Sequence, residues 1–128
     1  MTKSKKLRVL GEIYATIPST ECNGLCVAEC ASIPVLPIEL EQLEAAAGRK
    51  LPTLPTGDRL GGRLLGSEIG TPCPLLVLGR CSAYEQRPLI CRAFGATDGL
   101  LQCPHGCHPT ELLSKAALRR AFERIAAL

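Results

Sequence analysis

Eight cysteines in 128 residues, set against two Tyr, two Phe and no Trp, constrain this chain more than anything else in it. A domain of this length can bury a core, but not one with much to spare. The large aromatic side chains that usually fill a core are nearly missing here. Small chains in this position are held by cross-links, either disulfides or metal. With 46% hydrophobic and 21% charged residues, wholesale disorder is excluded. The expectation is a single domain over residues 1–128, cross-linked through sulfur.

Charge and compartment narrow the choice. Fifteen Lys and Arg against twelve Asp and Glu leave +3, too weak a bias to indicate nucleic acid. That figure assumes neutral thiols, and two zinc ions on eight thiolates would turn the balance slightly negative. Met1 to Arg8 is basic, but Val9 to Ile17 is interrupted by Gly11, Glu12 and Thr16. This is not the apolar region of a secretory signal. No apolar run approaches the roughly 18 residues that span a bilayer. The expected compartment is a reducing cytoplasm, where disulfides do not persist. Metal is therefore the favoured cross-link, with a disulfide framework as the alternative.

Leu7, Leu10, Tyr14 and Ile17 recur at helical spacing ahead of Pro18, so the periodicity predicts a helix over 5–16. Pro34 and Pro37 make Ile33 to Ile38 an extended connector. Pro37 then opens a helix to Ala47, with Leu40, Leu43 and Ala47 as its stripe and Gly48 as its stop. Glu39, Glu41 and Glu44 occupy the first half of that helix. Lys50 to Gly70 is rich in Gly, Pro and Leu and reads as a long loop. It is no phosphate loop, because no Gly-Lys-Ser/Thr follows its glycines. Pro74 to Leu78 is a short strand or loop. Pro109 to Leu128 reads as the clearest helix, amphipathic over 110–128, with Thr110 as N-cap and Leu118, Phe122 and Ile125 as stripe. Lys115, Arg119, Arg120 and Arg124 lie elsewhere on it, a solvated basic surface or a partner-docking one. The fold class expected is a small, irregular, mainly α domain. Short helices and long loops surround a cysteine metal centre, with little or no sheet.

Cys22, Cys26 and Cys30 are four apart, so a helix would align them on one face and a loop would wrap them around one centre. Asn23-Gly24 favours a turn start. In Cys103-Pro-His105-Gly-Cys107-His108, Pro104 and Gly106 predict a tight turn that can aim both thiols at one ion. His105 and His108 are further candidate ligands, since imidazole binds zinc. Cys73, Cys81 and Cys91 are well separated, and Arg80, Arg87 and Arg92 stand near them as donors to thiolate sulfur. No pair has the Cys-x2-Cys spacing of zinc knuckles, whereas iron–sulfur clusters take four thiolates at varied spacings. The zinc-deaminase pattern of His-x-Glu with Pro-Cys-x-x-Cys is missing.

The stretch Cys73-Pro-Leu-Leu, then Gly79-Arg-Cys81-Ser-Ala-Tyr84-Glu-Gln-Arg87-Pro88-Leu-Ile-Cys91-Arg92-Ala-Phe94, resembles the hallmark of the YkgJ-type cysteine-cluster proteins, a zinc- or iron-chelating family. With Cys22 to Cys30, the helix over 39–47 and the Cys103/Cys107 tail, the resemblance covers most of residues 5–110. One departure stands out. Many relatives end the first cluster in adjacent cysteines, whereas Ala31 follows Cys30 here. The resemblance implies a metal site drawn from all eight cysteines. Tyr84 would pack on the small core, Arg87-Pro88 would fix a turn, and Phe94 would cover the site from water.

Three functions compete. The first is a thiolate centre holding [4Fe–4S] or zinc in a structural or redox role, with iron–sulfur slightly favoured because knuckles are missing. The second is a metal-dependent enzyme, for which no nucleophile–base pair is visible. The third is an accessory or interaction module that engages a protein, or less readily nucleic acid, through the basic C-terminal helix.

Overall fold

The computed structural model describes residues 1–18, 31–78, 80–97, 101, 103 and 107–128. Helix α1 (Lys3–Ala15) starts two residues earlier than its apolar stripe predicts, because the Thr2 hydroxyl accepts the Lys5 amide at 3.2 Å and caps it. Of the predicted stripe Leu10, Tyr14 and Ile17 are buried and Leu7 is half-buried, while Ile13, outside that stripe, is fully buried. Strand β1 (Pro34–Val35) leads into α2 (Pro37–Ala47), which Gly48 ends in the left-handed conformation at φ 70°. That helix has the predicted bounds because Pro at its first turn and Gly past its end are both local signals.

The predicted loop over Lys50–Gly70 is corrected. It contains strands β2 (Thr53–Pro55) and β3 (Arg63–Leu65), paired antiparallel with Leu54 opposite Leu64. Strand β1 joins on the other side, giving the order β1–β3–β2. Pro34 and Pro55 thus fall on edge strands, where a missing amide is tolerated. Between β2 and β3 the Asp58 carboxylate accepts the Leu60 and Gly62 amides at 3.0 and 3.1 Å. The Gly62 amide above all, and then the Thr56 hydroxyl, hold its carboxyl below the usual range.

A second hairpin pairs β4 (Leu76–Val77) with β5 (Arg80–Cys81), Leu76 opposite Cys81. Leu78, at its turn, has a positive φ of 51° and is almost wholly exposed. A 3-10 turn (Tyr84–Gln86) and the short α3 (Leu89–Ala93) follow. The expected fold class is met in part: the domain is small and has four α-helices, but two small antiparallel sheets accompany them among the described residues, so it is mixed and not mainly α.

The last helix, α4 (Lys115–Ala126), starts later than expected. Its N-cap is Ser114, whose hydroxyl accepts the Ala117 amide at 3.1 Å, while Thr110 is exposed outside the helix. The preceding backbone is committed elsewhere, since the Leu113 amide donates to the Ala96 carbonyl at 2.8 Å. Leu118, Phe122 and Ile125 face inward as predicted. Two apolar clusters result. One joins α1, the start of α3 and α4 around Leu10, Ile13, Leu89, Ala121 and Ile125. The other lies between α2 and the strands around Val35, Leu43, Leu51, Leu65, Leu75 and Ala83, with Cys73 and Cys81 packed at its margin.

Candidate metal centre

One large cleft, about 930 Å³, lies between these clusters, and all five described cysteines line it. They arrive from different directions. Cys73 precedes β4, with its carbonyl accepting the Leu76 amide at 3.0 Å. Cys81 closes β5 and Cys91 lies on α3. Cys103 and Cys107 come from the chain beyond α3. Cys103 is buried and the other four are half-buried. None of the five is disulfide-bonded to another of the five. Among the described residues, no three His, Cys, Asp or Glu side chains are gathered tightly enough to hold a metal ion. Cys22, Cys26, Cys30, His105 and the predicted turn through Pro104 and Gly106 lie outside the described residues.

The chain on either side of the first cysteine cluster is described. Pro18 and Ala31 both line the cleft. Ala31 forms an isolated antiparallel bridge with Pro72, so the residue after Cys30 pairs with the residue before Cys73. The Ser32 hydroxyl reinforces this by accepting the Gly70 amide at 2.8 Å. The donor set suits a thiophilic ion. Five thiols share the described wall with one carboxylate, Glu85, and with apolar Leu65, Leu75, Ile90 and Phe94.

The other predicted site residues divide. Phe94 lines the cleft as expected, half-buried. Tyr84 lines the cleft too but does not pack on the core: it is 53% exposed, with the guanidinium of Arg87, also on the wall, 3.9 Å above its ring. The Arg87 Nε donates to the Tyr84 carbonyl at 3.0 Å, so the pair braces its own turn. Arg80 is exposed on β5 and not on the cleft wall. His108 is also exposed and off the wall, with Nδ1 2.9 Å from the Pro109 carbonyl. Arg92 is on the wall, and its Nε and one terminal nitrogen donate to the carbonyls of Arg87 and Glu85 at 2.7 and 2.9 Å. Its guanidinium lies 4.1 Å from the centre of the Tyr14 ring, a cation–π contact. Burial, and then the neighbouring Arg87, pull its pKa below the ordinary arginine value.

Glu39 has a place in the fold that its position in the first half of α2 does not foretell. It is almost wholly buried, at 1% exposure. Its Oε2 accepts from the Tyr14 hydroxyl and from the Leu89 amide, the latter at 2.6 Å, while Oε1 accepts the Leu36 amide at 3.0 Å. Burial pushes its pKa up, and the three donors and Arg92 offset part of that. Tyr14 is pushed up in turn, by its own burial and then by the Glu39 charge. The available signal was a Glu at the third position of a helix opened by Pro37, half of a capping box. The half is one-sided, because the N-cap is Leu36, whose side chain has no oxygen to return the bond.

No curated protein and no solved structure matches the chain. A family model does, over residues 21–108: CxxCxxCC, the putative zinc- or iron-chelating domain. That span takes in every cysteine and the whole described cleft wall from Ala31 to Cys107, so the YkgJ-type resemblance is borne out, and the chain belongs to the CxxCxxCC family of zinc- or iron-chelating domains.

Proposed function

We propose that the protein holds a thiolate-bound metal centre in this cleft, with a structural or redox role and no catalysis of its own. One observation carries the reading. Five cysteines from before β4, from β5, from α3 and from the chain beyond it share one cleft wall, and the residues flanking the stretch with the other three, Pro18 and Ala31, line the same cleft, Ala31 bridged to Pro72. No three described donors meet on their own. The proposed ligand set therefore joins thiols from Cys73, Cys81, Cys91, Cys103 and Cys107 to thiols from Cys22, Cys26 and Cys30. Phe94, Ile90 and Leu75 exclude water, and Arg92 supplies a fixed positive charge on the wall that offsets thiolate charge.

Between the two metals we favour [4Fe–4S], because the cysteine spacings are not those of zinc knuckles. A bound cluster would supply one-electron redox chemistry, and zinc would supply a closed structural tie. Purification without oxygen followed by elemental analysis is the test. Brown protein with iron, sulfide and visible absorbance supports the cluster. Colourless protein loaded with zinc rejects it and keeps the thiolate centre. Protein with neither metal rejects both.

A further inference from the structure

We propose that Glu39 is a positioning residue for the thiol centre, fixing Cys91 toward the cleft through Tyr14 and the start of α3. This rests on the thiolate reading above. A five-residue helix has no stability of its own in water, so α3 must take its placement from what holds it. Its first amide, Leu89, is held at 2.6 Å by Glu39, two residues before Cys91. The residue after Cys91, Arg92, is held over the ring of Tyr14 and by the carbonyls of Arg87 and Glu85. The Tyr14 hydroxyl donates to the same Glu39 oxygen that accepts from Leu89.

The contacts close a ring: Glu39 to Leu89, along α3 to Arg92, onto the Tyr14 face, and through the Tyr14 hydroxyl back to Glu39. Cys91 lies inside that ring, on the cleft wall. Stability alone does not call for a carboxylate here. Burying one carries a desolvation cost that an apolar side chain of similar volume avoids. A carboxylate adds direction, holding three donors from three helical segments at one point.

The test compares the full-length protein, purified without oxygen, with three variants. Glu39→Gln removes the charge and keeps the shape. Tyr14→Phe removes only the hydroxyl and leaves the ring beneath Arg92, so it decides the matter if Glu39→Gln fails to fold. Ile125→Ala, fully buried on α4 in the helical core and off the cleft wall, is a destabilised control that takes no part in the ring's hydrogen bonds. The readouts are urea stability and the loss of bound metal to a chelator, EDTA for zinc or bathophenanthroline for iron. We expect Glu39→Gln and Tyr14→Phe to release metal about 10-fold more readily than wild type, the lower end of the effect of removing partners of metal ligands. Ile125→Ala should release it as wild type does while losing at least as much stability. If metal release simply follows stability across all three variants, or both ring variants keep metal as wild type does, the positioning role is overturned and the thiolate centre stands. If wild type carries neither iron nor zinc, the centre is overturned and the positioning role falls with it.

Discussion

The helical half and the cleft half of this protein are built on different terms. Around α1 and α4, long aliphatic side chains close a continuous core, and Leu10, Ile13, Leu89 and Ile125 are sealed from water. On the cleft side only six residues form the buried cluster, the strands are two or three residues long, and two cysteines stand where further aliphatic side chains would be. Sheets of two or three such short strands have little stability by themselves. The contrast teaches that the first half can hold itself together by burial, whereas the second is shaped for something bound between its walls.

Removing the metal should separate the halves most. Structural thiolate sites contribute on the order of 10 kcal/mol of apparent binding energy to folding. Hydrogen exchange after chelation should show lost protection over residues 73–86 and retained protection in α1 and α4. Equal loss in both would erase the distinction. Core truncations come next. Leu10→Ala should cost about 3–5 kcal/mol by urea denaturation, since its site is sealed. Leu75→Ala should cost nearer 2 kcal/mol, because Leu75 borders the cleft and leaves no closed cavity. The reverse order would mean that the cleft side is the better packed.

Acidity offers a third probe, on metal-free protein. The folded Glu39 pKa lies above the ordinary carboxylate value. Between the two values the native state keeps a proton that the unfolded chain has released. Stability from this group should therefore be present below the ordinary value and fall as pH rises through the raised one. Glu39→Gln should flatten that slope in urea titrations run from acid to neutral pH, and an unchanged slope would assign it to other groups. Ser114→Ala should cost about 1 kcal/mol through the lost cap of α4. Leu78→Asn, at the strained and exposed turn of the second hairpin, should gain about 0.5 kcal/mol in the cleft half, because Asn tolerates the left-handed conformation better than Leu.

Legibility followed the range of the interactions involved. Helix α2 was readable to its ends because Pro37 and Gly48 act on their own backbone. The start of α4 was misread because Thr110 and Ser114 are both acceptable caps, and only the distant Ala96 carbonyl, bonded to Leu113, separates them. Strands β2 and β3 were hidden because three residues are too few to show alternation and Pro55 argues against a strand. Arg80 and His108 were drawn toward the site by nearness in sequence, yet the fold leaves them exposed and off the cleft wall.

Composition and local pattern alone picked out the eight cysteines, the apolar stripes that make α1 and α4 amphipathic, and the Cys73-to-Phe94 hallmark that points to the CxxCxxCC family. These follow from residue type and short-range geometry. Tertiary structure alone decided that Glu39 is buried, since its partners Tyr14 and Leu89 are 25 and 50 residues away. It also decided that the described cysteines share one cleft. A side chain's surroundings in a folded protein come mostly from segments remote in sequence, and burial is a property of that assembly, not of the residue.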